Sequence, residues 1–231
     1  MADVEHAWSR LGAAGTALKH LQAAGVEELV MAGPIERPSL SDIKPDLTAA
    51  RFLAGAGKGA LGDDGLLSAI IGQLERRGFR VRGVDEVLGD MLVGEGPLGG
   101  HRPGEDAVRD IRRGLAVARA IGAQDVGQAV VVQQGLVLGV EAAEGTDRLL
   151  ERCGALRRPG SGGVLVKIKK PQQERRADLP TIGTVTVEGA HAAGLAGIAV
   201  EAGATLVVDR GAVAAAADAA GLFVVGVAVE A

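Results

Sequence analysis

Residues 197–227 read GIAVEAGATLVVDRGAVAAAADAAGLFVVGV. Three largely apolar runs stand in this stretch, Ile198–Glu201, Thr205–Val208 and Leu222–Val227, with an alanine-rich segment around Ala215 before the last of them. Runs of Val, Leu and Ile suit strands covered on both faces, and the alanine-rich segments around Ala190 and Ala215 suit the helices that cover them. This βαβ logic predicts parallel pairing near the C-terminus. Upstream, Val164–Ile168 reads as a further strand, reached through the basic, glycine-rich loop Arg157–Gly163. Ala129–Val132 and Leu136–Glu141 flank Gln133-Gln134-Gly135, a hairpin signal. The C-terminal part is therefore predicted to be mixed α/β.

The first ninety residues alternate helix and strand more weakly. Leu11, Ala14, Leu18 and Leu21 recur at helical spacing over Ser9–Ala24, and Gly25 is a fitting stop. Val26–Ala32 and Phe79–Val84 read as strands of a small parallel sheet. Leu47–Leu61 is a helix candidate interrupted by Gly55, Gly57 and Gly59, and Pro34–Pro45 is a loop with three prolines. A further amphipathic helix follows Gly62-Asp63-Asp64 and closes at Gly78. Met91–Gly104 is rich in Gly and Pro, and Glu105–Ile121 begins acidic and becomes basic, as the helix dipole favours. The division expected is an N-terminal α/β domain over 1–93, a linker over 94–104 and a C-terminal domain over 105–231.

Composition narrows the function. With 231 residues the chain is one large domain or two small ones. Its balance of 47% hydrophobic and 23% charged residues is that of a folded protein. Aromatics are only 2%, too few for a stacking platform on single-stranded nucleic acid. The net charge of −4 and pI near 5.6 also argue against nucleic acid as a partner. The single cysteine, Cys153, makes no internal disulfide or zinc site and suits a reducing cytosol. No signal peptide or spanning run is visible, so a cytoplasmic location is expected.

Three polar constellations carry chemical potential. Asp63 and Asp64 offer two carboxylates at a helix start, for Mg²⁺ or for ordering a loop against phosphate; plain N-capping is the simpler explanation from spacing alone. Glu141, Glu144 and Asp147 form an acidic run around Gly145-Thr146, hard oxygen donors of the kind Mg²⁺ takes, or again a helix cap. Lys167 to Lys170, followed by Gln173, Glu174, Arg175, Arg176 and Asp178, sets cations beside carboxylates, as a diphosphate site with a metal needs. A solvated loop is the plain alternative, but the run leads directly into Leu179-Pro180-Thr181-Ile182-Gly183. The four histidines have no metal-ligand spacing, and Gly55–Ala60 lacks the spacing of a phosphate loop.

Several motifs occur together and in order: Gly62-Asp63-Asp64, Asp125-Val126-Gly127-Gln128, Glu141-Ala142-Ala143-Glu144-Gly145-Thr146-Asp147, Gly163 to Lys167, Lys170-Pro171 with Gln173-Glu174, Asp178-Leu179-Pro180-Thr181-Ile182-Gly183, Ala193 to Ile198, Asp209-Arg210 and Gly221-Leu222-Phe223. The set resembles the two-domain, metal-dependent UDP-2,3-diacylglucosamine pyrophosphatases of lipid A biosynthesis, which are unrelated to calcineurin-like phosphoesterases. The likeness covers nearly the whole chain and is densest from Gln128 onward.

The resemblance implies a cytoplasmic Mg²⁺-dependent hydrolase that cleaves UDP-2,3-diacylglucosamine to UMP and 2,3-diacylglucosamine 1-phosphate, with peripheral contact at the inner membrane and a homodimeric state. It implies Asp178 as the catalytic residue. Asp147, Glu144, Glu174 and Asp178 are the expected metal ligands. Lys167, Lys170, Arg176, Gln128, Thr181, Gly183, Asp63 and Asp64 are the expected substrate and phosphate contacts. Members of that family open with a strand and a Gly-Gly-Gly turn ahead of the equivalent of Trp8-Ser9-Arg10. The N-terminal sheet is therefore expected to be an incomplete Rossmann-like one, lacking its first strand and a turn whose backbone N–H groups would face phosphate. Two alternatives stay open on these residues: a shortened homologue without turnover, and a nucleotide- or lipid-binding regulatory module.

Overall fold

The structure, a computed structural model, describes residues 5–33, 44–56 and 63–229, with the side chains at 53–56 and 63–64 outside that description. It divides into two compact units. One comprises Met1–Val87 with Glu174–Asp178, the other Leu88–Gln173 with Leu179–Ala231.

In the first unit, strands β1 (Glu28–Val30) and β2 (Arg80–Arg82) pair in parallel, Leu29 opposite Val81. Helices α1 (Ala14–Ala23), α2 (Leu47–Ala56), α3 (Asp63–Glu75) and the short α4 (Val84–Val87) accompany them. The parallel pair is the small sheet expected from the sequence. Its strands are shorter than the apolar runs suggested. Leu18, Phe52 and Phe79 form the buried cluster, with Leu21, Val26, Leu29 and Leu74 packed against it.

The helix expected from Ser9 begins instead at Ala14, because Asp46 organises its start. One Asp46 oxygen accepts from Gly15 N at 2.7 Å and the other from Ala49 N at 2.7 Å, so one carboxylate caps two helices. These amide bonds, Ala49's foremost, hold the Asp46 carboxyl below the ordinary aspartate range. The Gly57-to-Gly62 part of the Gly-rich stretch lies outside the described residues, as does most of the Pro34–Pro45 loop.

The second unit is built on a mixed six-stranded sheet, order β3-β10-β8-β6-β4-β5. Its strands are β3 (Gly96–Pro97), β4 (Ala129–Gln133), β5 (Leu136–Val140), β6 (Val164–Lys167), β8 (Gly197–Glu201) and β10 (Phe223–Val227). The central trio β6, β8 and β10 is parallel, while β3, β4 and β5 are antiparallel to their neighbours. The expected hairpin is β4–β5, turned through Gln134 and Gly135, both at positive φ. The stretch 94–104, read as a linker, carries the edge strand β3, and its neighbour Val93 is fully buried.

Side chains alternate between the two faces of this sheet. Leu165, Ile198, Val200 and Val224 enter one cluster, with residues of α6 (Gly145–Gly154), α7 (Thr184–Ala192) and α8 (Arg210–Ala219). Val164, Val166, Ala199, Phe223 and Val225 enter the other, against the long α5 (Glu105–Ala123). The period of two is the pleat read directly in packing. Gly114 lets α5 lie close on the sheet, since a β-carbon there would overlap Val166.

One run joins a different partner from the expected one. Leu206–Val207 (β9) does not continue the main sheet but pairs in parallel with Thr181–Ile182 (β7). Leu206 N donates to Pro180 O and Val208 N to Ile182 O, at 2.8 and 3.0 Å.

Candidate active site

The carboxyl ends of parallel strands are where open α/β sheets gather ligands. At this edge β6 ends in Lys167 and β8 in Glu201, while the antiparallel β4 begins beside them, Ala129 opposite Lys167, with Gln128 just ahead. Several of the polar residues singled out in the sequence meet here in one hydrogen-bonded chain.

Glu141, 6% exposed, accepts from Gln128 N at 2.9 Å and from Thr146 Oγ1 at 2.7 Å. The carbonyl of Gln128 accepts from Ile168 N, and its side-chain oxygen from Gln173 Nε2 at 3.2 Å. Gln173 in turn accepts from Lys170 N at 3.0 Å. Lys170 Nζ lies 2.6 Å from Asp125 Oδ1, in an ion pair with the lysine side chain 10% exposed. Gly127 is required in this chain because a β-carbon there would overlap the Glu141 carbonyl. The lysine end of this pair is largely desolvated, which strengthens its attraction to the partly exposed Asp125 carboxylate.

Lys167 is also buried, at 7% exposure, and its Nζ donates to Thr181 O at 3.0 Å. This bond ties the lysine motif to the Asp-Leu-Pro-Thr-Ile-Gly motif. Thr181 and Ile182 form β7, and Gly183 follows as the extended N-cap of α7, with Gly183 N donating to Thr186 Oγ1. Lys167, Lys170, Gln128, Thr181 and Gly183 all belong to the second unit.

The four expected metal ligands are differently placed. Glu144 precedes α6, where Arg152 donates to its Oε1 at 2.7 Å and Ala142 N to its Oε2. Hydrogen bonding to Arg152 holds its carboxyl below the usual glutamate range. Asp147 is exposed in the first turn of α6. Glu174 and Asp178 group with the first unit. Both Glu174 oxygens accept from Arg176, Nε and Nη2 each at 3.0 Å, a two-pronged bond that lowers the Glu174 carboxyl and raises the guanidinium. Among the described residues no group of three or more His, Cys, Asp or Glu forms a metal cage.

Glu174–Asp178 is a single turn: Ala177 N and Asp178 N both bond to Glu174 O, at 3.1 and 2.9 Å. Arg176 Nη1 also reaches Glu75 Oε1 at 2.6 Å, and Arg175 Nη2 reaches Asp85 Oδ2 at 2.8 Å. The side chains of Asp63 and Asp64, at the start of α3, lie outside the described ones.

Other polar residues escaped the sequence reading. Asp110, 2% exposed on α5, accepts from Gln134 N and Gly135 N and so fixes the hairpin turn. Gln133, fully buried, bonds Arg158 O, Ser161 O and Arg158 N, which anchors the loop before β6. Asp110 is one charge among many on α5 and Gln133 sits beside Gln134 at the turn, so neither stands out in the sequence. Cys153 is fully buried in the core, where desolvation pushes its thiol up, as suits an inert residue. A cavity of about 520 Å³ lies at the opposite, amino-terminal edge of the parallel trio, lined by His101, Arg102, Glu105, Ser161 and Phe223 among others. The polar chain is not part of it.

Fold and side chains together define a two-unit α/β protein whose larger sheet ends in buried lysines braced by carboxylates and amides. The chain belongs to the LpxI family: the model of the LpxI N-terminal domain matches residues 1–91, and that of the LpxI C-terminal domain residues 94–225. It is 46% identical over 224 residues to the UDP-2,3-diacylglucosamine pyrophosphatase LpxI of Caulobacter vibrioides, a match that spans 94% of this chain and 80% of that protein. The resemblance read from the motifs is thereby borne out.

Proposed function

We propose that this protein hydrolyses the pyrophosphate of UDP-2,3-diacylglucosamine to UMP and 2,3-diacylglucosamine 1-phosphate, a step of lipid A biosynthesis. The observation that carries this reading is the match of both LpxI domain models along the chain, joined by 46% identity to a pyrophosphatase of that name.

Asp178 is the proposed base. Its carboxylate takes a proton from water as the water oxygen attacks one phosphorus of the diphosphate. The bond from that phosphorus to the bridging oxygen breaks, and the second phosphate leaves with the bridging oxygen and its electron pair. Lys167 and Lys170 are proposed to balance the charge that builds on the phosphate oxygens, a role that fixed cations in a partly dry site fill well. Gln128, Thr181 and Gly183 are proposed substrate contacts, the first two supported by their hydrogen-bonded link to those lysines and Gly183 by its place directly after β7.

Mg²⁺ is proposed to arrive on the diphosphate, since this ion keeps few protein ligands and commonly takes the rest from substrate phosphates. It would supply charge neutralisation at the phosphate oxygens. The acylated substrate is proposed to bring a homodimer of this chain to the surface of the inner membrane. Among the described residues no helix is long and apolar enough to cross a membrane.

The test is incubation of the purified protein with UDP-2,3-diacylglucosamine and MgCl₂, with products measured by mass spectrometry. Equal amounts of UMP and 2,3-diacylglucosamine 1-phosphate are expected, with the rate lost in EDTA. Neither product at stoichiometric enzyme would overturn the reading, and an undiminished rate in EDTA would remove the metal from it.

A further inference from the structure

Chain neighbours on both sides of Glu174–Asp178 belong to the second unit, yet this turn belongs to the first. Two consecutive arginines hold it there. Arg175 bonds Asp85 through Nη2 at 2.8 Å and Nε at 3.0 Å. Arg176 bonds Glu75 at 2.6 Å while it grips Glu174 with its other two nitrogens. Glu75 closes α3 and Asp85 stands in α4, so the acids come from separate elements flanking β2.

The Asp85 side chain is only 8% exposed, and its second oxygen is buried with no hydrogen-bond partner. A carboxylate in that state is costly unless its charge is matched, and Arg175 supplies the match. Gly83 completes the seat. A β-carbon there would overlap the Asp85 carboxylate and stand 3.6 Å from the Cα of Arg176, so the turn lies directly on this glycine.

We infer that Asp85, Glu75 and Gly83 form a seat for the Asp178 turn, and that Asp85 and Glu75 are positioning residues for hydrolysis, acting through Arg175 and Arg176. This rests on the assignment of Asp178 as the catalytic carboxylate. Asp178 N is bonded to Glu174 O, Glu174 is gripped by Arg176, and Arg176 is pinned to Glu75, so the direction of the carboxylate depends on the seat. Misplacement of a reacting group by about 1 Å costs on the order of 100-fold in rate.

The experiment pairs kinetics with hydrogen exchange on the full-length protein. Asp85→Asn and Arg175→Gln abolish the same ion pair from its buried and its exposed end, so the second variant serves if the first fails to fold. Each is expected to lower kcat by roughly 10- to 100-fold with KM within twofold. The double variant should be no worse than the poorer single one, because both act through one bond. Amide exchange at Ala177 and Asp178 should quicken at least tenfold. A folded variant with wild-type kcat overturns the positioning role. Unchanged exchange at Ala177 and Asp178 overturns the seat itself, and that readout holds even if the wild type hydrolyses nothing, which would refute the proposed function separately.

Discussion

The two units differ in how they hold polar residues. The second packs two apolar clusters on the faces of a six-stranded sheet, and its polar chain from Thr146 to Asp125 grows out of strand ends fixed by that packing. The first has a two-stranded sheet and a buried cluster of three side chains among its described residues. Its order comes largely from charge: Asp46 caps two helices, and Asp85 and Glu75 bind arginines. The second unit rests chiefly on apolar packing to which buried carboxylates are added, whereas in the first charged contacts carry a larger share of the order. The contrast predicts that the two units respond differently to the same kinds of substitution.

The largest expected effect is catalytic. Asp178→Ala should lower kcat by about 10²–10⁴-fold, the range for loss of a group in acid–base work. Substrate binding should largely survive, since a base acts mainly as charge develops in the transition state. Steady-state kinetics and equilibrium binding on the same preparation check both halves.

Core truncation comes next. Ile198→Ala, at a fully buried site in the central sheet, should cost about 3–5 kcal/mol, while Leu18→Ala in the three-residue cluster should cost nearer 2 kcal/mol. Denaturant melts followed separately for each unit distinguish them. Equal losses would remove the contrast between a large and a small core.

Asp110→Ala removes a buried carboxylate from the unit with the large core. It leaves Gln134 N and Gly135 N without their acceptor at the hairpin turn, which should cost about 2–3 kcal/mol. The hydrolysis rate of the folded variant should stay within twofold, because the turn is at the end of β4 remote from Ala129.

How much of this was legible in the sequence varies with the range of the interaction. The hairpin was, since Gln134-Gly135 between two valine-rich runs is local chemistry. The strands Val164–Lys167, Ile198–Glu201 and Leu222–Val227 were too, being strongly β-rich, although the βαβ pattern was read with Thr205–Val208 as its member rather than Val164–Lys167. The placement of Leu206–Val207 was not: its composition matches the other runs, and only pairing with Thr181–Ile182 decides its sheet. In the site, the lysines and the acid runs were visible as charge clusters, but their partners were not. Arg176 and Glu75 are 101 residues apart, and Arg175 and Asp85 are 90 apart. A charge run shows that ion pairs will form without showing with which acids. Asp46, Asp110 and Gln133 were missed for the same reason, since their partners come from elsewhere in the fold.

The smallest expected effect is on acid stability. The Glu174 carboxyl is depressed by Arg176, so its contribution is fully present above the ordinary glutamate value near 4.5 and is lost as pH falls through the depressed one. Glu174→Gln should therefore flatten the acid limb of the stability curve below about pH 4.5, by no more than about 1 kcal/mol after allowance for solvent screening. Melts between pH 3 and 7, in steps of about half a unit, resolve a change of that size, and an unaltered acid limb would deny the pair any stabilising role.

If water cleaves the diphosphate, turnover in ¹⁸O-labelled water with Mg²⁺ present leaves its mark on one product. One labelled oxygen should appear in the phosphate of either UMP or 2,3-diacylglucosamine 1-phosphate, never in both products of one turnover, and it should appear about 10²–10⁴-fold more slowly when Asp178→Ala replaces the wild type at equal concentration. Products that form without label, or label incorporated by the Asp178→Ala protein at the wild-type rate, would contradict it.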